Sequence, residues 1–265
     1  MATRPIIALV TDFGDADAYA AAMKGVILTR CPGAVIVDVT HRVPRHDVAA
    51  GAYLLWSVFR DFPAGTIFVA VVDPGVGSAR ALCCTRAGGR VFLAPDNGIL
   101  DLVLDETRES TCVALDVERF WRTPVSATFH GRDILAPVAA AVWNGTPLKS
   151  LGSPVKGRRP GSVFQRVTPS ISGRHTGRIV SIDSFGNIIT NFRADALPGR
   201  SLELRHKRAR ITRTATHYAA GPAGAPFILL GSGGLLELSV RNGSAARRLR
   251  ARRGDPLTLI LGENA

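Results

Sequence analysis

The sequence predicts an α/β fold, with an N-terminal, mostly parallel α/β sheet domain followed by a smaller C-terminal β-barrel domain. Three observations carry this. Short apolar runs alternate with helix-type spacing through roughly the first half, the order of βα units. A stretch rich in Gly, Pro, Ser and Arg interrupts the pattern at about 150–172, where a linker is expected. Beyond it come short strand-like segments with no long helical pattern between them. The expected division is one domain over 1–160 and another over 173–265.

Residues 6–11 form an apolar run that ends at the turn-like Asp12-Phe13-Gly14-Asp15. Residues 17–30 place Tyr19, Met23, Val26 and Ile27 at helical spacing, and Cys31-Pro32-Gly33 stops the helix. A second strand covers 34–39, and Asp47 is placed to cap a helix through Ala50, Leu54, Leu55 and Val58. The third strand, 66–72, is nearly all apolar, which suits a strand covered on both faces. Residues 91–94 and 112–115 read as further strands, and 134–143 as a helix after a loop. In the second half the strand-like segments are 177–182, 188–192, 201–204, 210–214, 227–230, 235–240 and 257–261.

Composition narrows the function. The chain has 265 residues, 46% of them hydrophobic, and no apolar run reaches the ~18–20 residues that span a bilayer. The first apolar stretch is too short for a signal peptide, so a cytoplasmic protein is expected. Cys31, Cys83, Cys84 and Cys112 have neither C-x-x-C spacing nor a nearby His, so they read as reduced, buried thiols, and no metal is expected. The net charge of +12 falls on the second half, where 19 Lys+Arg face 6 Asp+Glu from residue 151 onward. Of the 33 basic residues 29 are Arg, and no aromatics interleave with them, so nucleic acid is not the expected partner.

Ligands of open parallel sheets sit beyond the carboxyl ends of the strands. Three polar motifs fall there: Thr11-Asp12-Phe13-Gly14, Asp38-Val39-Thr40-His41, and Asp73-Pro74-Gly75-Val76-Gly77-Ser78-Ala79-Arg80. Neither G-x-G-x-x-G after the first strand nor a P-loop occurs, which argues against ordinary Rossmann-type methyltransferase or dehydrogenase chemistry. In Thr128-Phe129-His130-Gly131-Arg132-Asp133 the histidine stands in a glycine-containing loop, with Asp133 as a possible helix cap. Asp183-Ser184-Phe185-Gly186-Asn187 reads either as a hairpin turn or as a base site, with Phe185 packing on a flat ring and Asn187 bonding its edge.

Taken in order, T-D-F-G, D-x-x-H, V-V-D-P-G-V-G-S-x-R, A-P-D-N-G, F-H-G-R-D and D-x-F-G-N-x-x-T-N resemble the S-adenosylmethionine hydroxide adenosyltransferase family, which is related to fluorinases and chlorinases. The resemblance covers nearly the whole chain. It implies the same α/β and barrel domains, no cofactor beyond the substrate S-adenosylmethionine, and a homotrimer with sites at subunit interfaces. Asp73, Arg80 and His130 match the set associated with water activation, and Asp12 the carboxylate on the ribose diol. Asp183 matches the group at the methionine amino end, and Phe185 and Asn187 the adenine contacts. Ser232 matches the turn at the methionine carboxylate, although Gly231 stands where that turn usually has Asn. Asp96, Asn97 and His41 match motif positions without a chemical step.

The implied reaction is attack of water on the ribose C5′, releasing adenosine and methionine. A sulfonium leaves without protonation, so the protein has to position and activate water. Arg80, a guanidinium, cannot be the base; either Asp73 or His130 could take the proton. Four other readings remain open from the sequence. A halide-dependent enzyme is disfavoured because a negative Asp73 would repel the anion. The others are a non-catalytic sensor of S-adenosylmethionine or adenosine, an RNA-binding protein using the basic β domain, and a metal-dependent phosphoesterase built on Asp12, Asp38 and Asp73.

Overall fold

The structure is a computed structural model that describes residues 5–107, 109–155, 165–167, 173–195 and 201–262. Most of the expected linker at 150–172 lies outside the described residues. The chain forms two compact units, Met1–Gly161 and Ser162–Ala265.

The first unit runs β1 (Ile7–Thr11), α1 (Tyr19–Arg30), β2 (Ile36–Thr40), α2 (Val48–Val58), β3 (Ile67–Val71), β4 (Leu82–Ala87), β5 (Arg90–Pro95), α3 (Asp101–Glu106), β6 (Ser110–Ala114), α4 (Ala136–Trp143) and β7 (Pro154–Val155). The sheet order is β2-β1-β3-β5-β4-β6-β7. β2, β1, β3 and β5 pair in parallel, and the β4, β6 and β7 wing joins antiparallel. All five residues of β1 and of β3 are buried, because helices cover both faces of the sheet there. Asp47 caps α2 as expected, its Oδ1 accepting from the Ala50 N–H at 3.0 Å. Gly51 lets that helix approach the sheet closely, since a Cβ there would lie 3.0 Å from Val72 Cγ2 and 3.2 Å from Ile99 Cδ1.

Strand β4 is not among the strands expected from the sequence, where Cys83 and Cys84 read only as reduced, buried thiols. It is one arm of a hairpin closed by Gly88 and Gly89, with φ of 53° and 74°. Two successive positive-φ residues give the turn whose twist matches paired antiparallel strands. Cys112 departs from the expected burial, being only half-buried.

The order β2-β1-β3 places the site. The chain leaves β1 for a strand on one side, then crosses back to β3 on the other, so the crevice beyond the ends of β1 and β3 is a topological switch point. Thr11 is in register with Val71, so Asp12 and Asp73 emerge from adjacent strand ends.

The second unit contains β8 (Gln165–Val167), β9 (Gly173–Ile182), β10 (Ile188–Ala194), β11 (Leu202–His206), β12 (Ala209–Ile211), β13 (Pro226–Leu230), β14 (Leu235–Val240), α5 (Ala245–Leu249) and β15 (Pro256–Leu261). The order is β12-β11-β15-β9-β10-β14-β13, with β8 beside β10. The two ends of this sheet meet. The Ala215 N–H donates to Ile228 O at 2.9 Å, and the Ile228 N–H donates to Arg213 O at 2.8 Å. The sheet thereby closes nearly into a barrel around Ile188, Phe192, Leu204, Ile228, Leu238 and Leu259. Among the described residues no helix is long and apolar enough to cross a membrane.

Candidate active site

In the first unit an open cavity of about 370 Å³ lies at the switch point, lined by Asp12, Phe13, Tyr19, His46, Asp73 and His130 among others. Arg80 folds back on Asp73 through the turns of the Asp73–Arg80 loop. Its Nε donates to Asp73 Oδ1 at 2.8 Å and to Oδ2 at 3.0 Å, and its Nη2 also contacts Oδ2. The same Nη2 lies 3.0 Å from His130 Nδ1. A guanidinium only donates, so Nδ1 is the acceptor and the ring proton is on Nε2. Burial, then the positive charge of Arg80, lowers the His130 pKa below the ordinary imidazole value. The side chains of Asp73 and Arg80 are only 7% and 12% exposed, so the pair is shielded from bulk water.

Two neighbouring features fix this arrangement. Gly77, at φ 81°, brings the loop so close to Ala127 that a Cβ would lie 2.6 Å from the Ala127 carbonyl oxygen. Gly77→Ala is therefore expected to cost about 1–3 kcal/mol, read as a lower urea midpoint at unchanged slope. His130 opens a π-helical turn, Gly131–Leu135, that leads into α4. Asp133 does not cap that helix. It is fully buried and ties the loop together, accepting from Arg132 Nε at 2.7 Å, Ser126 N at 2.9 Å and Arg122 Nη1 at 3.1 Å. The Arg132 bond is the main reason its pKa is lowered.

Asp12 is held by a residue that the sequence reading missed. Its Oδ2 accepts from the backbone N–H of His46 at 2.8 Å, and His46 adopts φ 61°. A backbone donor leaves no mark in residue identity, so only the geometry reveals it. Phe13, Tyr19 and Phe129 pack as a trio with ring centroids 5.2–5.8 Å apart beside the carboxylates. His41 is structural, with Nδ1 sharing a 2.8 Å hydrogen bond with the Thr11 hydroxyl and Nε2 lying 3.1 Å from Asp38 Oδ1. Asn97 Nδ2 donates to Val72 O at 2.8 Å and steadies the strand end before Asp73.

In the second unit a cavity of about 960 Å³ is lined by Asp183, Phe185, Asn187, Tyr218, Arg241 and Arg247 among others. Asp183 organises the turn between β9 and β10. Its Oδ1 accepts from the Phe185 and Asn187 N–H groups at 2.9 and 2.8 Å, and its Oδ2 from Asn187 Nδ2 at 2.8 Å. Phe185 is thrust outward, 79% exposed, as a free aromatic face. Ser232 is exposed in the turn between β13 and β14 and does not line that cavity.

Glu237 is the second residue the sequence reading missed. A Cβ on Gly231 would stand 1.9 Å from Glu237 Oε1, so this carboxyl occupies the space beside Gly231. Tyr218 Oη donates to its Oε2 at 3.0 Å. Burial, and then the negative Asp183, raises the Glu237 pKa. Its signal was a lone acidic residue in a strand otherwise built of Leu, Val and one Ser, Leu235–Val240.

Fold and site together define an α/β-plus-barrel protein whose polar machinery gathers at strand ends rather than on a glycine-rich nucleotide loop. Residues 7–152 match the SAM hydroxide adenosyltransferase N-terminal domain and 177–258 the C-terminal domain of the same family. The chain belongs to that family. It is 37% identical to an (R)-S-adenosyl-L-methionine hydrolase of Salinispora arenicola, covering 99% of this chain and all of the relative. A hydrolase of the same description from Thermus thermophilus is 36% identical, over 97% of this chain and all of that one. A fluorinase of Actinoplanes sp. is 28% identical, over 89% of this chain and 90% of the relative. An uncharacterised conserved protein from Thermotoga maritima has a crystal structure that superposes with a TM-score of 0.87 at 29% identity, covering 96% of this chain and all of that one.

Proposed function

We propose that the chain is an S-adenosyl-L-methionine hydrolase, in which water attacks the ribose C5′ and yields adenosine and L-methionine. The observation that carries the reading is the single guanidinium nitrogen of Arg80 that contacts both Asp73 and His130 at the switch-point cavity. With His130 Nδ1 accepting from Arg80, its Nε2–H donates to the nucleophilic water and orients a lone pair toward C5′. Asp73 accepts the proton. Oδ1 takes one Arg80 bond and keeps acceptor capacity. As the C–O bond forms the water becomes acidic, so a carboxylate suffices, and the sulfonium leaves as neutral methionine thioether.

Asp12 takes the ribose hydroxyls and Phe185 stacks on adenine, with Asn187 at its edge. Asp183, seconded by Glu237, faces the methionine ammonium, and Ser232 the carboxylate. The family resemblance implies a homotrimer that builds each site from two subunits, and the division of these groups between two units supports it; a species that is monomeric by light scattering and turns over at full rate would overturn that part. Four cysteines that form no disulfide support a cytoplasmic setting.

The test is purified protein with S-adenosylmethionine in ¹⁸O-water. Adenosine carrying the label at its 5′ oxygen, with unlabelled methionine, is expected. Binding without adenosine would leave a sensor, and 5′-halo-5′-deoxyadenosine formed with chloride or fluoride would leave a halogenase.

Two further outcomes follow. Phe185→Ala is expected to raise KM by about 5–160-fold, the ~1–3 kcal/mol of one base–aromatic stack, with kcat and thermal midpoint nearly unchanged because the ring is exposed in the unit. The acid limb of kcat/KM is expected below the ordinary imidazole value. Neutral His130 is the working form and its pKa is lowered by burial and Arg80, so activity persists to lower pH before protonation removes the Nδ1 acceptor.

A further inference from the structure

We propose that Cys83 and Cys112 form a peroxide-oxidisable dithiol, a modification site in the first unit separate from the switch-point cavity. Strands β4 and β6 are antiparallel, with Thr85 opposite Cys112 and Cys83 opposite Ala114. Side chains alternate along a strand, so Cys83, Thr85 and Cys112 share one face, while Cys84 turns to the other and is fully buried in the apolar core. The two cysteines are diagonal neighbours on adjacent strands, and their thiols interact with each other. They line a small cavity of about 50 Å³ together with Thr85, Asp96 and Ser110, among others. That volume exceeds what one water needs and admits a molecule the size of hydrogen peroxide.

The partners are not equivalent. Cys83 is 4% exposed, whereas Cys112 is only half-buried. The interaction with Cys83, and then with Thr85, holds the Cys112 pKa below the ordinary thiol value, while the interaction with Cys112, and then burial, pushes Cys83 up. Asp96 opposes ionisation of both, and Cys84 is a further neighbour of Cys83. Cys112 is therefore the nucleophile and Cys83 the resolving thiol.

The chemistry balances with a hydroperoxide as oxidant. The Cys112 thiolate attacks the O–O bond, forming sulfenic acid and releasing water from hydrogen peroxide. Cys83 then gives up its proton and attacks Cys112 Sγ, displacing hydroxide, which leaves as a second water. Two thiols and one peroxide become one disulfide and two waters.

The test uses the intact chain under native conditions. With substoichiometric iodoacetamide at neutral pH, peptide mapping is expected to find Cys112 carboxamidomethylated well before Cys31, Cys83 and Cys84. With limiting hydrogen peroxide, a Cys83–Cys112 cross-linked peptide lighter by two hydrogens is expected, restored by dithiothreitol. In Cys83→Ser the product at Cys112 becomes a sulfenic acid trapped by dimedone. Uniform labelling of the four thiols would overturn the proposal. So would oxidation that leaves Cys83 and Cys112 as free thiols or yields only sulfinic and sulfonic acids. The mapping of the unaltered chain decides even if the serine variant does not fold.

Discussion

Arg80→Ala is expected to lower the single-turnover rate of S-adenosylmethionine hydrolysis by about 10²–10³-fold, the usual consequence of removing one preorganised donor from a catalytic site. Two effects add. Asp73, a shielded carboxylate, loses the guanidinium that fixes both its oxygens. His130 loses the donor that holds Nδ1 as the acceptor, and with it the single tautomer that aims Nε2–H into the cavity. The pH profile separates this from a general loss of structure. Arg80 is one of the charges that lower the His130 pKa, and Asp73 and Asp133 act in the opposite direction. Without Arg80 the residual activity should show its acid limb at higher pH than in the parent chain. Arg80→Lys should lose nearly as much, because an ammonium cannot meet two carboxylate oxygens and an imidazole nitrogen from one plane. A near-parental rate in Arg80→Ala, or an unmoved acid limb, would remove the guanidinium from the mechanism.

How far the sequence alone reaches differs between fold and site. The alternation of apolar runs with helical spacing was enough for β1, α1, β2, α2 and β3, because each is a local pattern. Strand β4 was missed because its Leu-Cys-Cys-Thr-Arg-Ala sequence has no clean alternation, although Gly88-Gly89 before Arg90 was a usable hairpin signal. The π turn before α4 has no residue periodicity of its own. Barrel closure rests on backbone bonds between 213–215 and Ile228, which are non-local. Within the site, carboxylates at strand ends were legible as position plus chemistry. The bond from Arg80 to His130 joins residues fifty apart and could be anticipated only through the family resemblance. Glu237 stands out as a lone acid but carries no local signal of a role, because the room its carboxyl fills is left by Gly231 on the preceding turn.

Asp12→Asn is expected to lower kcat/KM by about 10²–10³-fold, corresponding to two hydrogen bonds to an ionised acceptor at ~1.5–3 kcal/mol each, partly offset by whatever the amide retains. Asp12 has two tasks. One oxygen receives the His46 backbone N–H, anchoring the loop that follows β2, and the proposed ribose diol faces the carboxylate from the cavity. Asparagine can keep the first task by turning its carbonyl toward His46, but it then offers an NH₂ group where two hydroxyl donors need an acceptor. The substitution thus changes recognition while sparing the anchor, and thermal stability should fall little. His46→Gly tests the anchor separately. Glycine keeps the N–H and adopts φ 61° without strain, so binding should survive, whereas His46→Val strains the turn and should weaken it. The 2′-deoxy analogue of the substrate completes a thermodynamic cycle. If Asp12 grips the diol, the parent chain loses affinity for the analogue, and Asp12→Asn loses much less on the same change. Equal losses in both would show that the 2′-hydroxyl and Asp12 do not meet, and would move the ribose elsewhere in the cavity.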